Sequence, residues 1–257
     1  MQTNKDLDVY LIIGLTKESR HWSKDFIDEI KKVINPKEIV FVDLPGSGKY
    51  LKDKSPTNIS DIVDFSRAKQ TFNPNRSRMV IAISLGGMVA WNWVTRYPDD
   101  FQSFVMINSS MSGVSSVFKR VQPSAAIDFF KIAATKNGAE KEQLVLDLCS
   151  NNPENAKKIL PSWTKLGVES SMHFSNILRQ LIAGMNFKAK LVPKIPMLII
   201  AAKHDRLAHY SCSQDIAKLV NAKFILCTDL LVGHAFHVDA PEYLVSEIKT
   251  WQEQSGI

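Results

Sequence analysis

Apolar residues fall into short β-branched runs that alternate, up to about residue 108, with stretches of helical period. Residues 9–13 (Val-Tyr-Leu-Ile-Ile) carry no polar interruption and read as a strand buried on both faces, ending at Gly14. Ser23 then offers an N-cap for an amphipathic helix to about residue 33, with Phe26, Ile27 and Ile30 on one face. Residues 38–43 form the next strand and 58–65 a short helix. The apolar run 79–83 is a third strand, followed by a helix closing at Tyr97 and Pro98 and by a fourth strand over 101–108. Strand and helix in alternation imply a parallel sheet.

Beyond residue 110 the alternation stops, and up to Pro193 only helical periods occur. One helix is expected over 125–135 with Ser124 as cap, and another over 141–149. A third opens at Asn152-Pro153 and is interrupted by Pro161. The fourth, over 171–185, carries Met172, Phe174, Ile177, Leu178, Leu181 and Ile182. Strand patterns return at 196–202 and 224–227, and a closing amphipathic helix carries Tyr243, Leu244, Ile248 and Trp251. The expected fold is therefore α/β, a mostly parallel central sheet of about six strands flanked by helices. Residues 1–110 and 194–257 form its core, and 111–193 an inserted all-helical cap.

Three loops at strand ends hold the chemistry. In the first, a β-branched strand runs into Ser84 and a helix follows directly, which places a serine at the apex of a sharp turn. Such a cramped backbone needs small neighbours two residues to either side, and Ala82 and Gly86 meet that need. An alcohol is a poor nucleophile at neutral pH, so Ser84 needs a base, and the base an orienting carboxylate. Reactive groups in α/β sheets gather beyond the carboxyl ends of the strands. Asp205, after the strand 196–202, and His234, after 224–227, both lie there.

These residues resemble the α/β-hydrolase family: a nucleophile elbow of the form Ala-x-Ser-x-Gly, with Ala82 where Gly is usual, then Asp205 and His234 in the family's order. The stretch 233–242, Gly-His-x-x-x-x-Asp-x-Pro-Glu, is similar to the family's histidine loop, and the likeness extends from about residue 8 to 254. It implies a catalytic triad of Ser84, Asp205 and His234, with His237 as the other candidate base and Asp229 and Asp239 less well placed as acid. Asp239 is expected instead to hold the histidine loop. The oxyanion hole is expected from the backbone N–H of Leu85 and of Leu15, with Thr16 as alternative to Leu15. Gly14 and Trp22 fit the family's loop after the first strand, although Ile13 stands where it commonly has His. Trp22, Met172 and His237 are the expected substrate-facing residues, and the cap is expected to cover Ser84.

Composition narrows the function further. The 257 residues are 45% hydrophobic and 23% charged, ordinary for a globular protein. No run of about 18 apolar residues could span a membrane. The polar start, running straight into a strand, suggests no signal peptide and a cytoplasmic protein. Cys149, Cys212 and Cys227 are odd in number and lack metal-ligand spacing, so reduced thiols and no metal are expected. Gly48-Lys49 fails as a phosphate loop, since Asp43 and Tyr50 stand where Gly and Ser or Thr are required. The net charge of +6 is concentrated: residues 111–195 carry 12 Lys and Arg against 6 Asp and Glu, and the rest balances at 20 against 20. That surplus suits an anionic, carrier-linked or coenzyme-A-linked small-molecule acyl substrate, and no motif points to nucleic acid.

The resemblance implies a serine hydrolase acting on a carboxylic ester or thioester through an acyl-enzyme, without cofactor. Ser84 argues against the dehalogenases and epoxide hydrolases of this fold, whose nucleophile is a carboxylate. Two alternatives stand beside it: a lyase or carbon–carbon hydrolase reusing the triad, as in the menaquinone-pathway synthase, and a non-catalytic ligand-binding protein of the same fold.

Overall fold

The computed structural model describes residues 6–135 and 137–257. Its first half alternates β1 (Leu7–Ile12), α1 (Lys24–Glu29, prolonged by a π-helical turn at Ile30–Ile34), β2 (Glu38–Val42), α2 (Ile59–Arg67), β3 (Ser77–Ile83), α3 (Leu85–Arg96) and β4 (Ser103–Ile107). Five helices follow: α4 (Val117–Arg120), α5 (Pro123–Ala134), α6 (Gly138–Cys149), α7 (Pro153–Glu169) and α8 (Phe174–Asn186). The chain then forms β5 (Met197–Ala202), α9 (Ser211–Val220), β6 (Lys223–Cys227), α10 (Phe236–Asp239) and α11 (Pro241–Ser255).

All six strands are parallel, in the order β2-β1-β3-β4-β5-β6. Alternate residues serve opposite faces, as the period of a strand requires. Tyr10, Ile12, Val80, Ala82, Phe104 and Met106 pack on one side with residues of α2, α3 and α9. Val9, Leu11, Met79, Ile81 and Val105 pack on the other with those of α1 and α11. The chain moves outward from β1 to β2 and then returns to β3 on the other side of β1. Ligands of open α/β sheets bind beyond the strand ends where the order reverses in this way, and Ser84 follows β3 at that point.

Register and small residues shape the turn there. Ile12 is opposite Ala82 and Ile83 opposite Ile107, so Ser84 lies between the loop after β1 and the end of β4. Ser84 has φ 57° and ψ −123°, which an L-residue adopts only under constraint. A Cβ on Gly86 would lie 2.3 Å from the Ile12 carbonyl oxygen, and one on Gly14 3.0 Å from Ser84 Cβ. The helix can therefore start immediately behind the serine only because residue 86 has no side chain.

The helical stretch between β4 and β5 departs from expectation in three places. Helix α5 starts at Pro123, which fits the first turn because its missing N–H would be unpaired there anyway, so Ser124 is not the cap. Helix α7 continues through Pro161. Pro161 is exposed, so water can satisfy the carbonyl it leaves without a donor, while Trp163 and Leu166 beyond it are buried. Helix α8 is turned over: Asn176, Gln180, Ala183 and Gly184 are buried, and Phe174, Leu178, Leu181 and Ile182 are exposed. Its polar side chains do the docking. Asn176 accepts from Ser55 N (2.9 Å) and donates to the Asp53 carbonyl (3.0 Å), and Gln180 donates to the Pro45 carbonyl (3.1 Å). In the closing helix Leu244, Ile248 and Trp251 are buried, whereas Tyr243 stays exposed.

Gly86→Ala tests the packing of the elbow. Overpacking against a strand carbonyl is expected to cost about 1–3 kcal/mol, read as a lower melting temperature by circular dichroism.

Candidate active site

The elbow is held by backbone and hydroxyl contacts. Ser84 N–H donates to the Ile107 carbonyl (3.0 Å), and the Ser84 carbonyl accepts from Gly87 N (2.9 Å) and Ser109 Oγ (2.7 Å). The Ser84 side chain remains partly exposed. Among the described residues, neither Leu85 N–H, in the first turn of α3, nor Leu15 N–H has an acceptor. Thr16, with φ 65°, turns the loop so that Lys17 N–H points back to the Gly14 carbonyl (3.4 Å).

Asp205 and His234 come together across the ends of β5 and β6. Asp205 Oδ1 accepts from Leu207 N (2.8 Å) and Ala208 N (3.0 Å), which fixes the carboxylate, and Oδ2 meets His234 Nδ1 at 2.7 Å. Both residues are buried. The contact assigns the proton to Nδ1 and leaves Nε2 with its lone pair. Among the described residues no hydrogen bond joins Ser84 Oγ to His234, so the Asp205–His234 contact is formed and a His234–Ser84 contact is not. Such bonds often tighten only when substrate is bound.

Asn108, which the sequence reading passed over, ties the ends of β4 and β5 to the histidine loop. It follows β4 with φ 44°, and its Oδ1 accepts from Ala202 N (2.9 Å) at the end of β5. Its Nδ2 donates to the carbonyls of Gly233 (3.1 Å) and His234 (3.0 Å). An Asn at a strand end, a residue tolerant of left-handed backbone, was the available signal. Asp239 holds the other side of the histidine loop, accepting from Gly233 N (2.7 Å), Asn151 N (3.0 Å) and the Ser150 hydroxyl. Burial pushes its carboxyl pKa up, and these donors act against that shift.

Trp22, Met172 and His237, expected to face substrate, are all buried, and packing accounts for Trp22 and His237. The His237 ring lies 4.8 Å from that of Trp22, its Nδ1 accepts from Ser23 N (3.2 Å), and its carbonyl accepts from the Ser23 hydroxyl. His21 accepts from Glu18 N through Nδ1 (3.1 Å) and sets its ring edge-on to Trp163. Lys17 Nζ lies 4.1 Å above the Trp163 ring and pairs with Glu142 of α6 at 2.7 Å. Burial, followed by the Lys17 charge, lowers the pKa of His21 to about 2 and that of His237 to about 3. Both rings are neutral and structural.

Two cavities lie away from these residues. One of about 340 Å³, lined by Pro196, Met197, Lys223 and Trp251, lies where β5 and β6 begin, at the far edge of the sheet. Another of about 220 Å³ lies against β2 and Tyr50. Neither includes Ser84, Asp205 or His234, and the geometry of the three side chains is the better guide.

Comparison with known proteins identifies the family and the fold. The family model described as serine aminopeptidase, S33 matches residues 39–237. Among solved structures, the enol-lactonase from Burkholderia xenovorans LB400 superposes with a TM-score of 0.73 at 14% identity, covering 96% of this chain and 91% of that one. The meta-cleavage product hydrolase from Pseudomonas fluorescens IP01 gives 0.72 at 14% identity over 96% and 91%. A thermophilic esterase from Thermogutta terrifontis gives 0.67 at 15% identity over 96% and 90%. Identities this low speak for the fold. No match is found among curated proteins.

The two neutral histidines set a pH dependence. Each holds fewer protons folded than unfolded, so its contribution to stability is complete above the unfolded pKa of about 6.5. That contribution is lost as pH falls below this value toward the folded values of about 2 and 3. Denaturant titrations between about pH 6.5 and 4 should show stability falling by roughly 1.4 kcal/mol per pH unit for each ring. His237→Gln should reduce that slope by one ring's share.

Proposed function

The chain belongs to the serine aminopeptidase S33 family of α/β-hydrolases, and from that premise we propose that it cleaves a carboxylic ester or thioester through an acyl-enzyme on Ser84. The observation that carries this reading is the buried Asp205–His234 hydrogen bond of 2.7 Å at the sheet edge where Ser84 is held at φ 57°. His234 Nε2 takes the Ser84 hydroxyl proton as Oγ bonds to the substrate carbonyl carbon. The oxyanion is received by Leu85 N–H and Leu15 N–H, which have no other acceptor among the described residues. His234 then gives its proton to the leaving oxygen or sulfur. A water molecule, deprotonated by the same nitrogen, releases the acid and restores Ser84. Asp205 keeps the imidazole in the tautomer this sequence needs and stabilises its protonated form.

Esters are favoured over peptides with a free amino terminus because the carboxylates near the site are already engaged. Asp205 holds His234, Asp239 holds the loop, Glu142 pairs with Lys17, and Glu18 pairs with Arg20. An α-ammonium group would have to displace one of these partners. The helices α4 to α8 serve in this reading as the cap over Ser84, and their surplus of positive charge suits an anionic or carrier-linked acyl group.

The test is labelling with a small fluorophosphonate, beside turnover of p-nitrophenyl esters of increasing chain length, acyl thioesters and aminoacyl anilides. Labelling should be absent in Ser84→Ala, and ester turnover should fall by about 10³-fold or more in Ser84→Ala, His234→Ala and Asp205→Asn. Turnover confined to aminoacyl anilides would overturn the ester reading. A well-folded wild type that neither labels nor turns over any substrate would favour a ligand-binding role.

A further inference from the structure

Helix α8 presents to solvent the face that an amphipathic helix normally buries. Phe174 is 67% exposed, Leu178 46%, Leu181 39% and Ile182 38%. Spacings of four, three and one residues place these four on a single stripe. The opposite face is committed to the core through Asn176, Gln180 and Gly184, and a Cβ on Gly184 would lie 2.8 Å from Leu85 Cδ1. Turning the helix to bury the stripe would break those contacts, so the exposure belongs to the folded state.

The segment after α8 continues the same chemistry. Leu191 is 61% and Val192 49% exposed, between Lys188, Lys190 and Lys194, whose side chains are also exposed. Its backbone is anchored: Trp91 Nε1 donates to the Leu191 carbonyl (2.9 Å), Ser112 N to the Phe187 carbonyl (3.0 Å), and Phe187 is buried. Arg179 is tied to the Ser55 carbonyl on the flank of the helix. Between Glu169 and Asp205 the sequence contains no acidic residue.

We propose that the outer face of α8 and the segment 188–194 form a docking surface for an anionic lipid bilayer. Phe174, Leu178, Leu181, Ile182, Leu191 and Val192 would enter the interfacial region while the lysine heads reach the phosphates. Charge selects this occupant over a second copy of the chain. Two such faces pressed together would set Lys188, Lys190 and Lys194 against their own copies with no carboxylate from residues 170–204 to offset them, whereas an anionic surface offers those lysines their complement. This role is independent of the reaction proposed for Ser84.

The experiment is co-sedimentation of the full chain with vesicles of phosphatidylcholine alone or mixed with phosphatidylglycerol, with oligomeric state followed by sedimentation equilibrium. Partitioning to the anionic vesicles should be at least about tenfold stronger than to the neutral ones and should weaken as salt is raised. Leu178→Ser with Ile182→Ser, and separately Lys188→Gln with Lys190→Gln, should each reduce it about tenfold or more with unchanged melting temperature, since all four side chains are exposed. Equal binding to both vesicles, or none to either, overturns the proposal. So does a stable dimer that the Leu178→Ser, Ile182→Ser variant dissociates, which would assign the face to self-association. Hydrolysis is not measured, so the outcome is separate from that of the catalytic reading.

Discussion

The backbone of Ser84 is held where a serine does not rest by choice, at φ 57° and ψ −123°, and much of the architecture serves to keep it there. A conformation of this kind costs about 1–3 kcal/mol and persists only when its surroundings over-determine it. The surroundings are parallel strands on both sides of β3, a helix that begins at the next residue, and two glycines that let the β1 loop and α3 approach. Ser109 adds a hydroxyl bond to the strained residue's own carbonyl. The result is a side chain that stays partly open to solvent while the turn beneath it is fully packed.

The partner histidine depends on contacts from more distant parts of the chain. His234 follows a loop that Asn108 holds from β4, and that Asp239 joins to Ser150 and Asn151 between α6 and α7. Gln122, just ahead of α5, donates to the Asp205 carbonyl (2.6 Å). The helices between β4 and β5 thus share in the framework that positions Asp205 and His234.

Burial of charge follows a consistent pattern around the same loops. Lys17 is half-buried with Glu142 as partner and Trp163 beneath it, and its charge reinforces the neutrality of His21 and His237. A buried cation must be paired or lose its proton, and here the partner comes from the insert, so the ion pair also joins the β1 loop to α6. On the outer face of α8 and the segment after it the opposite arrangement holds, with apolar side chains and lysines left facing water.

Strand runs, the helix cap at Ser23, the elbow and the order Ser84, Asp205, His234 could be read directly from the chain, because each rests on neighbouring residues or on the period of one element. The six parallel strands and the helical stretch between β4 and β5 followed from the same local logic. Other features could not be read this way. Pro161 looked like a helix breaker because the sequence does not tell that its turn faces water. Trp22 and His237 looked like pocket residues because an aromatic beside a catalytic loop has the same signature whether it faces substrate or packs on another ring. Asn108 at a strand end signalled a turn but not what it holds, since its partners Ala202 and Gly233 lie 94 and 125 positions away. The orientation of α8 went unread for the same reason: periodicity reveals that a helix has two unlike faces, but which face is buried depends on what the loops at Pro45 and Ser55 offer it. By itself the sequence determined the elements and the chemical types at their ends. Only the tertiary structure decided which side chains meet, because those choices rest on contacts between segments that no local pattern records.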